Sequence, residues 1–183
     1  MQAVEAFGRL CLVAVFVWSA GLKLRSLSRF RDSLAGVFTA SGRWVPALAI
    51  GVPVTELLTA ACLLPELSAG LPGWTDWLEW AGFAGAAVLL TAFTGYLTAL
   101  LRFRPDAGCG CAGAEDIPVS GVHVTRNLFL LSICLATWMV TVADSARPSV
   151  VHYVVATPPA VTVGLLLLYM ADLFSLLRTP RSI

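Results

Sequence analysis

The chain has 183 residues, 58% of them hydrophobic and 13% charged, with a formal net charge of +1. Ordinary soluble domains carry roughly 25% charged residues, so this chain lacks the polar side chains to cover a water-exposed globule and belongs in a lipid bilayer. So small a net charge gives no case for nucleic acid, because the basic residues cluster at the ends of apolar runs instead of forming one patch.

Residues 5–24 form a first apolar run, about the 20 residues that cross a ~30 Å hydrocarbon core. Lys23, Arg25, Arg29 and Arg31 stand at the end of this run and after it instead of preceding it, and no Ala-x-Ala site comes directly after, which argues for a span over a cleaved signal peptide. From Ser28 to Ala40, Phe30, Leu34, Val37 and Phe38 recur at helical spacing with Arg29, Arg31 and Asp32 opposite. That pattern suits a short helix lying at the interface and, equally, a connecting helix packed on the bundle.

Residues 46–64 make the second span, with Pro46 in its first turn and Pro53 as a kink inside it. Residues 65–76 break into Pro, Gly, Ser and acids, a loop. The third span, 79–101, is introduced by Trp74, Trp77 and Trp80. Their spacing reads as an aromatic belt at headgroup level, with a packed tryptophan cluster as the competing arrangement. A polar loop, 102–120, leads to a fourth span at 121–143, and a fifth follows at 151–177, its start blurred by Pro158-Pro159. No internal repeat or linker divides the chain, so residues 1–183 read as one all-α, polytopic membrane domain.

Lysine and arginine favour cytoplasmic loops. Lys23, Arg25, Arg29, Arg31 and Arg43 follow span one, Arg102 and Arg104 follow span three, and Arg178 and Arg181 follow span five. The opposite side has Arg147 and the acids Glu66, Asp76 and Glu79. The expectation is a multi-pass cell-membrane protein with the N-terminus outside and the C-terminus and the 102–120 loop cytoplasmic.

That loop holds the chemistry. Cys109 and Cys111, one residue apart, can close a small strained disulfide because Gly110 removes the side-chain obstacle to the bend. Strained, exposed disulfides are more oxidising and exchange more readily than structural ones, as a redox relay requires. The start of the fourth helix and His123, a proton acceptor, would both favour a thiolate nearby. A metal reading takes Cys109, Cys111 and His123 as ligands but lacks an obvious fourth, so no metal is assigned. Two reduced, inert cytosolic thiols are the plainer alternative. Cys11 and Cys62 fall toward the same outer leaflet and form a candidate second thiol pair, whereas Cys134, near mid-span, reads as packing.

The segments Arg9-x6-Phe16-x2-Ser19-x-Gly21-x-Lys23-Leu24, Pro53-x2-Glu56 and Cys109-Gly110-Cys111-x-Gly113, followed by Val119-Ser120 and Arg126-Asn127, resemble the MauE family of redox-associated membrane proteins, relatives of the DoxX group. The resemblance covers about residues 5–143, and its most specific part is the block from Cys109 to Asn127. It implies a DoxX-like four-helix core, to which the fifth span is an addition. It also implies a role beside thioredoxin-like partners in making or maintaining disulfides of exported proteins, as in maturation of methylamine dehydrogenase during methylamine utilisation. One departure is Ala112, where the family block usually carries Phe.

Charges within spans are expensive and point to function or pairing. Glu56 lies near mid-membrane, either as a proton carrier or hydrogen-bonded to Thr55, Thr59 or a neighbouring helix. Lys23 and Arg9, near span ends, are able to snorkel to the headgroups, so their charge alone implies little. Arg126 and Asp172 sit at matching depth in spans four and five and are expected to pair.

The sequence therefore favours a thiol–disulfide oxidoreductase. Cys109 and Cys111 would exchange, with Gly110 and Gly113 shaping the loop, Arg126 and Asn127 holding it, His123 or Glu56 moving protons, and Lys23 in support. The alternative is a non-enzymatic assembly factor or docking subunit, its Cys-x-Cys loop incidental or metal-bound. A small-molecule transporter fits less well, because no inverted repeat is evident. A quinone is compatible with the redox chemistry, but no quinone site can be located from the sequence.

Overall fold

The computed structural model describes residues 1–37, 42–64, 75–103, 120–143 and 147–178; of these, residues 36, 37, 42, 75, 76, 171, 172 and 174–178 are described by backbone alone. The described residues form α1 (Gln2–Arg25), α2 (Leu27–Val37), a 3-10 turn (Gly42–Trp44), α3 (Val45–Leu63), α4 (Thr75–Phe103), α5 (Gly121–Ala143) and α6 (Val150–Arg178). Five of these helices, all but α2, are long and apolar enough to cross a membrane. The boundaries expected from hydropathy fall within a few residues of those observed.

In lipid an apolar surface gains nothing by choosing protein over hydrocarbon, so helices associate where small residues let backbones close in and where polar groups find partners. Both devices are present. α1, α3, α4 and α5 form a closed four-helix ring, and α6 packs on the outside of α1 with a lighter contact to α5. Between them lies a core built from Leu12, Phe16, Leu63, Phe83, Leu90 and Leu130.

The approach of α3 to α4 depends on two glycines. A methyl group at Gly82 would stand 3.1 Å from the Cys62 carbonyl carbon and the Leu63 nitrogen, and one at Gly85 would stand 2.9 Å from the Thr59 hydroxyl. At Gly82 the neighbour is backbone, which cannot turn aside. Gly8 of α1 seats the Thr137 side chain of α5 in the same manner.

Pro46 and Pro53 both lie in α3, at its first turn and in its interior. The apolar face of α2 is covered by protein: Phe30 and Leu34 pack against Val45 and Ala49 of α3, which is the connecting-helix arrangement. Arg29, Arg31 and Asp32 remain on its outer side. Of the three tryptophans before span three, Trp77 is exposed, Trp80 meets Trp138 edge-on at 5.3 Å, and Trp74 lies outside the described residues. Trp80 thus belongs to a packed pair, and Trp77 faces the surroundings.

Gly82→Ala should destabilise the protein by about 1–3 kcal/mol through overpacking against backbone. Gly21→Ala should leave stability nearly unchanged, because nothing lies within 4 Å of the added methyl. Thermal unfolding of the two variants in detergent checks this, and equal behaviour would remove the close α3–α4 approach from the account.

Candidate functional site

Two clusters of charge are buried in the bundle, one toward each end of α1. At the end where α1 and α4 finish and α5 begins, Lys23 and Glu56 are each 1% exposed. The Lys23 ammonium donates to Glu56 Oε1 at 2.6 Å and to Ser19 Oγ at 2.6 Å, and Ser19 Oγ donates to the same Oε1 at 3.1 Å. The triangle closes because Ser19 and Lys23 are one turn apart on α1, with Glu56 facing them from α3. Phe93 of α4 lies under the ammonium, 4.5 Å from ring centroid to nitrogen, and Phe30 of α2 is 5.7 Å away. A cation enclosed by a carboxylate, a hydroxyl and two ring faces has its charge met without water.

Lys23 therefore does not snorkel. Beside it stands Phe30 of α2, which packs on Val45 and Ala49 of α3. Glu56 finds its partners on α1: Thr55 donates to the Val52 carbonyl instead. The second carboxylate oxygen of Glu56 is buried with no partner among the described residues.

At the other end Arg9, 4% exposed, likewise does not snorkel. It pairs with Glu5 at 2.6 Å and with Glu79 of α4, donates to Thr141 of α5 at 3.4 Å, and stands 5.3 Å from the centroid of the Phe83 ring. Sequence reasoning missed this cluster. Its signal in the sequence is the i,i+4 pair Glu5–Arg9 in the first turns of span one.

Arg126 and Asn127 are buried on α5, at 7% and 4% exposure. Nη1 of Arg126 donates to the Leu168 carbonyl of α6 at 3.1 Å. This is a link between the fourth and fifth spans, made through backbone; the Asp172 side chain expected to make it lies outside the described residues. Phe16, Ser19, Lys23, Phe93, Arg126 and Asn127 line a cavity of about 30 Å³ between α1, α4, α5 and α6. About 10–15 Å³ is needed for one water, so it has room for roughly two.

His123, 4% exposed, sits in the first turn of α5. Its Nδ1 accepts from the Ser120 backbone N–H at 3.3 Å and lies 3.2 Å from the Ser120 hydroxyl. A backbone N–H can only donate, so Nδ1 accepts and the neutral ring carries its proton on Nε2. Cys109, Gly110, Cys111 and Gly113 lie outside the described residues. Two of the four helices that carry the cavity walls nonetheless lead into and out of their segment: α4 ends at Phe103 and α5 begins at Gly121.

Cys11, Cys62 and Cys134 are free thiols, the first and last buried and Cys62 half-buried. The Cys11 carbonyl backs onto Gly164 of α6, whereas Cys62 backs onto Gly82 of α4. Cys134 places its sulfur 3.7 Å from the Phe83 carbonyl within the central core, a packing role. Among the described residues no three His, Cys, Asp or Glu side chains are grouped to hold a metal ion.

Ser19 and Lys23 of α1 and Arg126 and Asn127 of α5 thus line one chamber, and Glu56 of α3 is tied to it through Ser19 and Lys23. A family model described as Methylamine utilisation protein MauE matches residues 1–140. The chain belongs to the MauE family. No curated protein and no solved structure matches it. The MauE match spans the four-helix ring almost to the end of α5, with both charged clusters and the Cys109–Cys111 segment, while α6 lies beyond it. In this MauE chain the acceptor for Arg126 therefore comes from outside the matched region.

Removing one partner of a buried pair leaves the other charge uncompensated, so Lys23→Met should cost about 3–5 kcal/mol of stability. Adding Glu56→Leu to the same chain should recover most of that loss, because neither charge then remains. Unfolding of single and double variants in detergent measures the coupling, and purely additive losses would show that the two residues act independently.

Proposed function

We propose that the protein is a membrane thiol–disulfide redox protein of the methylamine-utilisation type, acting with a thioredoxin-like partner in disulfide formation or maturation of exported proteins. The observation that carries this reading is Cys109-Gly110-Cys111 in the segment joining α4 to α5, the two helices that bear Phe93, Arg126 and Asn127 of the polar chamber. Membership of the MauE family supports it.

In the exchange, a thiolate of the partner attacks one sulfur of the Cys109–Cys111 disulfide and the second cysteine leaves as thiolate. The partner's other thiol then resolves the mixed disulfide, so the partner loses two electrons and the pair gains them. His123 is the nearest titratable group of α5 to that segment in sequence, and its role is to accept or return the proton that accompanies thiolate formation.

In this reading the pair interconverts between dithiol and disulfide in glutathione buffers of graded potential. Thiol-trapping mass spectrometry should find a two-electron transition, and replacing both cysteines by serine should abolish function. A pair that stays reduced throughout, with function intact in the double-serine chain, would leave the non-enzymatic assembly factor as the better account.

The basic residues after spans one, three and five further support an outside N-terminus with the cysteine loop and C-terminus cytoplasmic. A membrane-impermeant maleimide should then miss Cys109 and Cys111 in intact cells and label them after permeabilisation. Labelling in intact cells would invert the orientation.

A further inference from the structure

Arg126 meets its surroundings unevenly. Nη1 on one edge of the guanidinium donates to the Leu168 carbonyl, while Nε, on the opposite edge, is buried with no partner among the described residues. A carbonyl satisfies one N–H but does not neutralise the charge. Across the chamber Lys23 is matched by Glu56, so the described charges around it, Lys23 and Arg126 against Glu56, leave one positive charge over. A buried guanidinium without a counter-charge is costly in a low-dielectric interior.

The edge formed by Nε and Nη2 is one that a carboxylate bridges with two parallel hydrogen bonds. The cavity beside it, about 30 Å³, has room for roughly two waters at ~10–15 Å³ each, the places that the two oxygens of a carboxylate would take. Asn127 brings a side-chain amide to the same wall, and Phe16, Phe93 and Leu130 make the rest of it apolar.

We propose that this chamber is a carboxylate-binding site. The ligand's two oxygens sit against Nε and Nη2 of Arg126, the Asn127 amide adds a donor, and Lys23 contributes field from the opposite wall. The carboxylate arrives either on a hydrocarbon chain from the bilayer or as a short water-soluble acid; the headgroup chemistry is the same. This site is independent of whether the cysteine pair exchanges.

The test uses the full chain in phosphatidylcholine nanodiscs, in chloride-free sulfate buffer at fixed ionic strength. The unfolding midpoint is followed against laurate, its uncharged ester methyl laurate, acetate and chloride. Laurate should raise the midpoint saturably and methyl laurate should not. Arg126→Lys, which keeps the charge and loses the fork, should weaken laurate by about tenfold or more. An acetate effect of the same kind assigns a water-soluble source, and its absence a membrane source; both agree with the proposal.

Equal effects of laurate and its ester, or of chloride and the carboxylates, would overturn it. So would the absence of any rise in the unaltered chain. In that case a rise appearing only in Asp172→Asn would identify the chain's own carboxylate, one turn beyond Leu168, as the occupant of the fork. If Arg126→Lys does not fold, Asn127→Asp must abolish the laurate-specific rise, and a rise unchanged in that variant also overturns the proposal.

Discussion

A charge carried into hydrocarbon must be met by a partner, and in this bundle the charges on α1 tie it to the three other helices of the ring. Lys23 reaches Glu56 and thereby fixes α1 to α3. Arg9 reaches Glu79 and Thr141 and fixes the other end of α1 to α4 and α5. Arg126 extends the set to α6 through the Leu168 carbonyl. Apolar contacts fill the space between, but in lipid they discriminate poorly among neighbours of similar shape. The polar links, with the close approaches at Gly8, Gly82 and Gly85, select this arrangement from others that would bury comparable surface.

The spans were legible in the sequence because they depend on one local quantity, the run length of apolar residues against a fixed hydrocarbon thickness. The pairings were not, because they join positions such as 23 and 56 or 9 and 79 that no local pattern relates. Lys23 stands near a span end, where snorkelling was open to it, yet it is buried against Glu56 and beside Phe30 of α2. Of the dispersed residues that carried the resemblance, Ser19, Lys23, Arg126 and Asn127 line one chamber and Glu56 is bonded to Lys23 and Ser19, although neither hydropathy nor periodicity relates them. Cys109 and Cys111 lie outside the described residues, and the structure adds to them only the positions of the helices they join.

Those helices matter to any chemistry in the joining segment. Phe93 and Leu97 on α4, and Arg126 and Asn127 on α5, stand on the walls of the cavity within a few turns of where the segment leaves and re-enters the bundle. Whatever fills the chamber changes how freely α4 and α5 can move relative to each other.

The spacing of the two charged clusters along α1 sets how the protein meets bilayers of different thickness. Arg9 and Lys23 are fourteen residues apart, roughly 21 Å along the axis at 1.5 Å per residue, and each is tied to a different neighbouring helix. Sliding α1 along its axis would stretch both ties at once, so that helix cannot adjust by translation. The 29-residue helices α4 and α6, at roughly 43 Å, already exceed a ~30 Å hydrocarbon core, whereas the 19-residue α3, at roughly 28 Å, barely spans it. Mismatch is therefore taken up by tilt of the bundle as one body or by deformation of the lipid around α3, and either route leaves the packing around the chamber as it is when membrane thickness changes.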